Sequence, residues 1–409
     1  QHRASRSPGA CADPSRLLAL TMSAKTMVAK ALPALEEPSP GPSLMSAALR
    51  CAEDAVACKA TGFERQLTDE PRWTGGARIY EYGAAANPEM PPVPVLVHPP
   101  ALHESGASRI VPFDLSASLG VEGRECTSPN LMASFVRIEV GDSLETRARA
   151  TSQAFYVIRG SGVSASMDHG KVRWCTGDLF VLPTTRAGVV HECVEAESGG
   201  AALYWIHDEP LMEYLGVEPG RKKFEPTLYR REELLARVEE ISHSKGHSSN
   251  RLGVLLGNAA CDQTKTLTHV LWSLLNSIPA QSVQRAHRHN SVALDLCVSA
   301  QPGVYTLMGR EVDAQGFIVD PIRCEWTPGG VFVTPPGWWH SHHNESQDVA
   351  WVLPIQDAGL YTYQRTLDIR FVDDELALHA AGRIRGSAFA TTDKEYADMR
   401  AAAAAGRSV

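Results

Sequence analysis

The chain has 409 residues, of which 44% are hydrophobic and 21% charged, so it is long enough to bury the cores of two soluble globular domains. Its formal net charge of -8 and the lack of a basic stripe argue against nucleic acid as a partner, and no apolar run approaches the about 18 residues of a membrane span. The nine cysteines form no CxxC pair, which argues against a zinc ribbon or a disulfide framework and favours a cytoplasmic or organellar location over secretion.

Residues 1–43 are predicted to be a disordered or targeting segment. Basic residues outnumber the single acid, Asp13, over the first part of this segment, and Ser and Ala are frequent, which is the composition of an organelle transit peptide. An expression remnant or a plain disordered tail fits the same composition. The stretch EEPSPGPS, which ends at Ser43, is typical of a linker.

Residues 44–125 are predicted to form an N-terminal arm. A short alanine-rich helix is expected over residues 44–60. The later stretch MPPVPVLVHPP cannot form a central strand, because proline lacks the N–H that both neighbours of such a strand require. We therefore expect the arm to pack over a barrel or over a neighbouring subunit.

Strand patterns begin in residues 126–210 and are followed by a helical pattern in residues 211–262. The runs SFVRIEV, QAFYVIRGSGVSASM, KVRWCTGDLFVLP and AALYWIHDE are separated by Gly and Asp turns, which is typical of a β-sandwich or barrel. In the second range Leu234, Leu235, Val238 and Ile241 recur at helical spacing between charged residues. This amphipathic helix is expected to bridge two β domains or to form an oligomer face.

A cluster of histidines marks the second strand-rich range, residues 263–371. His287 and His289 are two residues apart, so an extended strand points both imidazoles to the same face. His340 follows a Pro-Pro-Gly turn and two tryptophans, and it can reach the same point once the strands curl round. Three neutral imidazoles suit iron, zinc, copper or nickel and leave coordination positions open. Residues 372–409 are predicted to be a helical tail.

The residues around these histidines resemble the cupin superfamily. From Gly329 to Asn344 the spacing matches the second cupin motif at every fixed position. The chain resembles in particular the gentisate, salicylate and 1-hydroxy-2-naphthoate dioxygenases, through HRH followed by an Ala-Leu pair, LW at Leu271–Trp272, and TPPGWWHSHHN. The glutamate usual in the first cupin motif would fall near Ala293 or Leu294 and is missing, as it is in these ring-cleaving enzymes.

The resemblance, which is good over residues 265–355, implies an all-β bicupin. Two tandem double-stranded β-helix (jelly-roll) barrels would be joined by the helical linker and preceded by the arm. Residues 126–210 would be a degenerate barrel, because Arg147 and Arg149 fall where the paired histidines should be and Gln153 falls near the glutamate position. A guanidinium has no lone pair for a metal, so this barrel is expected to be structural, with an anion site around the two arginines as the alternative. The resemblance also implies a homo-oligomer.

For the second barrel the resemblance implies a non-haem Fe(II) dioxygenase that cleaves the ring of a small hydroxylated aromatic compound with O2. Zn, Mn and Ni are the alternative metals. The residues expected to act are the metal ligands His287, His289 and His340, the catalytic residues His342 and Asp295, and the substrate-binding residues Trp272, Tyr305, Trp338 and Asp295.

Asp295 departs from the pattern of the ring-cleaving enzymes, which have at this place an arginine that pairs with the substrate carboxylate. A carboxylate would instead repel an anionic substrate and favour an amine, a sulfonium or a phenol hydroxyl. Its even offset from His287 and His289 predicts that its side chain faces the barrel interior. The structural alternative is a salt bridge to a barrel arginine. The order of the barrels is a second departure from the related enzymes. They typically carry their metal in the amino-terminal cupin, whereas the histidines of this chain lie in the carboxy-terminal one.

Two other functions remain open on the sequence. A metal-dependent lyase or isomerase acting on a small metabolite, including a cationic one, would use the metal as a Lewis acid with Asp295, His342 or Tyr305 as base. Such lyases usually keep the glutamate that is missing here. The second is a non-catalytic bicupin that binds a metal or a ligand, although storage proteins seldom keep three matched histidines.

Overall fold

The structure of the protein is a computed structural model, and it describes residues 74–195, 199–243 and 252–380. The expected targeting segment at 1–43, the expected helix at 44–60 and the tail beyond residue 380 lie outside the described residues. Helix α1 (Tyr82–Ala85) belongs to a unit that ends at Pro88, whereas all later elements belong to a second unit, Glu89–Val409. No helix in the described ranges is long and apolar enough to cross a membrane.

Strands dominate the second unit and form two successive groups. The elements up to the interbarrel helix are β1 (Val97–His98), α2 (Ala101–Glu104), β2 (Arg109–Pro112), α3 (Ser116–Leu119), β3 (Met132–Ile138), β4 (Ser143–Thr146), β5 (Ser152–Arg159), β6 (Ser161–Ser166), β7 (Gly170–Cys175), β8 (Leu179–Pro183), β9 (Val189–Glu195), β10 (Ala201–His207), α4 (Glu209–Leu215), β11 (Thr227–Tyr229) and α5 (Arg231–His243). The elements after it are β12 (Leu252–Leu255), a 3-10 turn (Ala259–Cys261), β13 (Trp272–Ile278), β14 (Ser282–His289), β15 (Ala293–Ser299), β16 (Val304–Gly309), β17 (Ile322–Glu325), β18 (Val331–Thr334), β19 (Trp339–Asn344), β20 (Ala350–Gln356), α6 (Ala358–Gln364), β21 (Ile369–Phe371) and α7 (Val372–Ala380).

The two groups repeat one topology. The first has the antiparallel sheets β11-β8-β5-β10-β3-β2 and β4-β9-β6-β7, and the second has β1-β18-β15-β20-β13-β12 and β17-β16-β19-β14-β21. The order β8-β5-β10-β3 therefore recurs as β18-β15-β20-β13, and β4-β9-β6-β7 recurs as β14-β19-β16-β17. Two tandem jelly-roll barrels are what an all-β bicupin requires, so the predicted fold class is confirmed, while the predicted domain boundaries stay a prediction.

Each barrel receives an edge strand from the chain that precedes the other one. Strand β1 comes before the first barrel, but Val97 pairs with Phe332 on β18 of the second. Strand β11 comes before the second barrel, but Leu228 pairs with Phe180 on β8 of the first. The prolines around β1 restrict it to an edge, as the sequence predicts. This exchange ties the barrels together through main-chain hydrogen bonds.

A shared apolar core lies between the barrels. It includes Phe135 and Tyr204 from the first barrel and Leu294 and Leu353 from the second. Helix α5 is the predicted amphipathic helix, and it buries Leu234 and Val238. It packs on β12 and β13, so it follows a strand of the first barrel and contacts strands of the second.

The sequence analysis placed Arg147 and Arg149 at the positions that the paired histidines occupy in a metal-binding cupin. The structure shifts this alignment by one residue. Thr146 is buried and pairs with Val189, whereas Arg147 and Arg149 are exposed. Arg147 forms an ion pair with Glu145, and Arg149 contacts three glutamates of the α4 region. Ala148 and Ala150 are buried like Thr146, so the alternation of buried and exposed residues continues beyond β4 and leaves both guanidinium groups outside the barrel. Their carboxylate partners leave no support for the anion site considered as an alternative. Gln153 is buried, and its Oε1 accepts a hydrogen bond from Trp205 Nε1.

His191 is expected to make the stability of the protein depend on pH. It is fully buried in the first barrel, and burial lowers its pKa from 6.5 to about 3. Between these two values the unfolded chain binds a proton that the folded chain does not, so stability is present above pH 6.5 and is lost as pH falls. Urea unfolding at pH 7, 6 and 5 should show the loss, and His191→Gln should reduce the slope by up to roughly 1.4 kcal/mol per pH unit.

The control for this experiment is His243→Gln, because the His243 side chain is 78% exposed. Parallel stability curves for the wild type and His191→Gln would contradict the prediction.

Candidate metal centre

Four histidines meet on the inner face of the second barrel. Strands β14 and β19 are neighbours, and His287 on β14 pairs with His340 on β19. Their ring centroids are 4.0 Å apart, and the rings of His289 and His342 lie 4.9 Å and 5.7 Å from that of His340. The even spacing along each strand points these side chains to one face, as the sequence predicts.

This cluster offers four candidates for three ligand positions. One nitrogen each of His287, His340 and His342 lies within 4.8 Å of the other two, and within the described ranges this is the group of side chains that can hold a metal ion. The resemblance implied His289 in place of His342 as the third ligand. The structure brings His342, and not His289, within this distance of both other nitrogens, while the ring centroids of His289 and His340 lie 4.9 Å apart. The hydrogen bonds of each imidazole are therefore a second criterion.

Two of the imidazoles are fixed in the tautomer that a metal ligand needs. His289 Nδ1 lies 2.9 Å from Ser291 O, and His340 Nδ1 lies 3.1 Å from Trp338 O. A carbonyl oxygen only accepts, so each Nδ1 carries the proton and each Nε2 keeps its lone pair. Burial also lowers the pKa of His289 to about 4, which keeps its ring neutral near pH 7. These donors fit a transition metal that binds imidazole.

His342 is held differently, through a relay that recurs in the first barrel. Its Nδ1 lies 2.9 Å from Thr306 Oγ1, which accepts a hydrogen bond of 2.8 Å from Trp326 Nε1. In the first barrel His191 Nδ1 lies 2.7 Å from Ser164 Oγ, and that hydroxyl accepts from Trp174 Nε1. The relay therefore belongs to the repeated fold and orients the histidine.

The sequence analysis missed Thr306 and Trp326. The chain between these two residues is longer than the chain between Ser164 and Trp174, so no common spacing reveals the repeat. A search for a buried hydroxyl and a tryptophan on neighbouring strands could have found it only after the strand pairing was known.

A cavity of about 180 Å³ opens beside the imidazoles. Its walls contain two predicted residues, Trp272 and Asp295, together with Ile369 and Phe371 of β21, which pairs with β14. The remaining lining residues are Leu274, Asn276, Gln284, His287, His289, His340, His342, Val352, Pro354 and Gln356. Because an apolar cavity of about 150 Å³ suffices to bind benzene, this cavity has room for a single aromatic ring.

Tyr305 lies on the opposite face of its sheet, so its expected role in substrate binding is corrected. Its neighbour Thr306 faces His342 on the inside, and alternation along β16 turns Tyr305 outward. The Tyr305 ring stacks on His343 at 4.8 Å, and its hydroxyl donates to Glu345 Oε1 at 2.7 Å. Its hydroxyl therefore cannot serve as a base in the cavity.

Trp338 also lies away from the cavity, because it precedes β19 rather than belonging to it. Its carbonyl accepts from His340, while the guanidinium of Arg310 lies 5.4 Å from its ring. Its contribution to the site is therefore the orientation of His340. Arg288 alternates away from the cluster as expected, and its guanidinium lies 5.0 Å from the Trp339 ring.

No protein-family model and no curated protein sequence matches the chain. Among solved structures, a salicylate 1,2-dioxygenase from Pseudaminobacter salicylatoxidans superposes with a TM-score of 0.53 at 13% identity, covering 82% of this chain and 99% of that chain. A structure of this enzyme in adducts with gentisate gives a TM-score of 0.53 at 14% identity, covering 84% and 97%. The chain has the bicupin fold. At this level of identity the similarity establishes the fold and not the activity.

The strand pairing aligns the two barrels of the bicupin position by position. The corresponding residues on three neighbouring strands are Phe155, Phe180 and Trp205 in the first barrel and Asp295, Phe332 and Pro354 in the second. Phe155 stacks on Phe180 and Trp205 with centroid distances of 4.9 Å and 5.8 Å. These rings pack against one another in the first barrel, whereas Asp295 and Pro354 border the cavity beside the histidines.

Asp295 is a buried carboxylate that lacks an ionic partner. It is 4% exposed, and Thr334 Oγ1 donates to its Oδ2 at 2.6 Å. Within the described part of the chain no arginine or lysine pairs with it, so the salt bridge considered as a structural alternative is not found. Burial raises the pKa of Asp295 from 3.8 to about 7, against a smaller opposite effect of the Thr334 hydrogen bond.

Asp295→Asn is expected to stabilise the metal-free protein at pH 8. A carboxyl group whose pKa is higher in the folded state stabilises the fold at acid pH, and this contribution is lost as pH rises through about 7. The variant should therefore gain roughly 2–4 kcal/mol over the wild type at pH 8 and little at pH 4. Urea unfolding in the presence of a chelator would measure both values.

The matched control is Asp262→Asn, which removes one charge from a side chain that is 82% exposed. Equal stability of Asp295→Asn and the wild type at pH 8 would show that the buried carboxylate does not destabilise the folded protein.

Proposed function

We propose that the bicupin is a non-haem Fe(II) dioxygenase that cleaves the ring of a small, monocyclic, hydroxylated aromatic compound with O2. The observation that carries the proposal is the cluster of four imidazoles beside a cavity with room for one ring. Imidazole donors suit Fe(II), and three of them leave positions for substrate and oxygen. Zn, Mn and Ni remain the alternative metals, because the same donors accept them.

We assign the metal to His287, His289 and His340. The carbonyl partners of His289 and His340 support this choice, because they leave Nε2 of each ring as a lone-pair donor. His342 is the catalytic residue of the proposal. The Thr306 hydroxyl can donate to Nδ1 of His342 or accept from it, so Nε2 of His342 can hold a proton or release one beside the bound ring.

The other cavity residues would orient the ring and exclude water. Trp272, Ile369 and Phe371 supply flat or aliphatic walls, and the Phe371 ring stacks at 6.0 Å from His287. Bound iron would supply the one-electron chemistry of oxygen, which no protein side chain of the cavity provides. The chain would contribute a dry, shaped site that holds the reacting ring in one orientation.

A metal-dependent lyase or isomerase is the second candidate, and one observation favours it. Asp295 lines the same cavity, and its pKa of about 7 suits a general base at neutral pH. Oxygen uptake distinguishes the two functions, because a lyase or an isomerase consumes none. A binding bicupin without catalysis would bind the metal and turn over neither kind of substrate.

Metal content tests the ligand assignment. The protein loaded anaerobically with Fe(II) should contain about one metal per chain by elemental analysis, as one three-histidine site predicts. His287→Ala, His289→Ala and His340→Ala should each lose it, because only two of the three assigned ligands remain in each variant. His342→Ala should retain it.

His191→Gln in the first barrel is the matched control for metal content and should retain the metal. Retention by His289→Ala with loss by His342→Ala would exchange these two roles. A stoichiometry near two, or metal retained by His340→Ala, would refute the site. An oxygen electrode with a panel of monocyclic phenols and dihydroxybenzenes then tests the reaction, and metal-loaded protein that consumes no oxygen with any of them would contradict the dioxygenase.

A further inference from the structure

We propose that Asp295 selects the ligand of this cavity by charge, favouring an aromatic compound that carries a cationic or hydrogen-bond-donating group over one that carries a carboxylate. The inference deepens the proposed function by naming a substrate class. It rests on that function only in taking the cavity as the substrate site.

The walls of the cavity offer an anion and no protein cation. Among the described residues that line it there is no lysine or arginine, and the one charged side chain besides the histidines is Asp295. A ligand carboxylate that lies beside Asp295 and away from the metal would therefore meet a like charge at a buried position. An ammonium group or a phenol hydroxyl would meet an acceptor.

The Asp295 carboxylate has acceptor capacity to spare, whereas the amide oxygens of the cavity already accept hydrogen bonds from other protein groups. Thr334 supplies the single hydrogen bond that Asp295 receives within the described ranges, and a carboxylate can accept about four. Asn276 and Gln284 bind each other through both amides at 3.0 Å and 3.2 Å. Gln356 Oε1 accepts from Ser291 Oγ at 2.7 Å.

The first barrel shows that the fold does not need an acid at this position. Phe155 occupies the place that Asp295 has in the second barrel, and it packs against its neighbours. Replacing such a ring by a buried carboxylate costs desolvation free energy. A costly group that the repeated fold can omit, at the wall of a cavity with a metal-binding cluster, is typical of a group that serves a ligand.

Three probes that differ in one substituent test the selection. They are 3,4-dihydroxybenzylamine, 4-methylcatechol and 3,4-dihydroxybenzoate, which share the two ring hydroxyls and carry a cation, no charge and an anion. Binding to the full chain loaded with redox-inert Zn(II) is measured by calorimetry at pH 8. We expect the wild type to bind the amine most tightly and the benzoate most weakly.

Asp295→Asn keeps the shape of the side chain and an acceptor for Thr334, and it removes the charge. It should weaken binding of the amine on the order of tenfold and reduce the discrimination against the benzoate by a similar factor. Asp262→Asn, an exposed site, should leave all three affinities unchanged. The order of the probes in the wild type does not depend on any variant, so a folding defect cannot hide the result.

The outcomes distinguish a failure of the proposed dioxygenase activity from a failure of the proposed selection by Asp295. The expected charge order without oxygen consumption by the Fe(II)-loaded protein would refute the dioxygenase and support the selection by Asp295. Unchanged affinities in Asp295→Asn, a wild-type preference for the benzoate, or no binding of any probe would overturn the inference, whatever the oxygen electrode shows.

Discussion

The pairing of β14 with β19 is the constraint on which the second barrel's site depends. It places His287 opposite His340, and strand alternation then brings His289 and His342 to the same inner face. No single strand could collect these side chains, because one strand face offers a residue only at every second position. The backbone bonds of the sheet therefore hold the imidazoles close together before any ion is considered.

The same topology occurs twice in the chain, but different side chains line the interiors of the two barrels. In the first barrel, stacked aromatic rings occupy these positions, and His191 is held by Thr146 and Ser164. In the second, a proline and a carboxylate take the places of two of these rings, and the histidines surround the space that opens. The relay from tryptophan to hydroxyl to histidine is common to both, so the repeated fold supplies orientation and the substitutions supply the site.

The site has an energetic cost that the rest of the fold must offset. The His289 imidazole, whose pKa is lowered, and the Asp295 carboxyl group, whose pKa is raised, are both buried, and each loses solvation that a hydrocarbon side chain would not. The apolar core shared by both barrels and the exchange of edge strands β1 and β11 provide the opposing stabilisation. The first barrel is thus part of what supports the cavity of the second.

The sequence by itself determined the elements and the local faces. It predicted the amphipathic helix around Leu234 and Val238, the strand rhythm of both barrels, the edge position of the proline-rich arm, and the shared face of His287 and His289. These features follow from periods of two or 3.6 residues and from the missing N–H of proline, which are local properties. The inward direction of Asp295 followed from the same period.

Only the tertiary structure decided what lies opposite what. It turned Tyr305 away from the cavity, moved the histidine-like position of the first barrel from Arg147 to Thr146, joined Trp326 to Thr306, and set Asp295 in the place of Phe155. Each depends on the register between strands that are distant in sequence, which turns, insertions and irregularities set. A shift of one residue exchanges the two faces of a strand, and for that physical reason local patterns could propose these residues but could not place them.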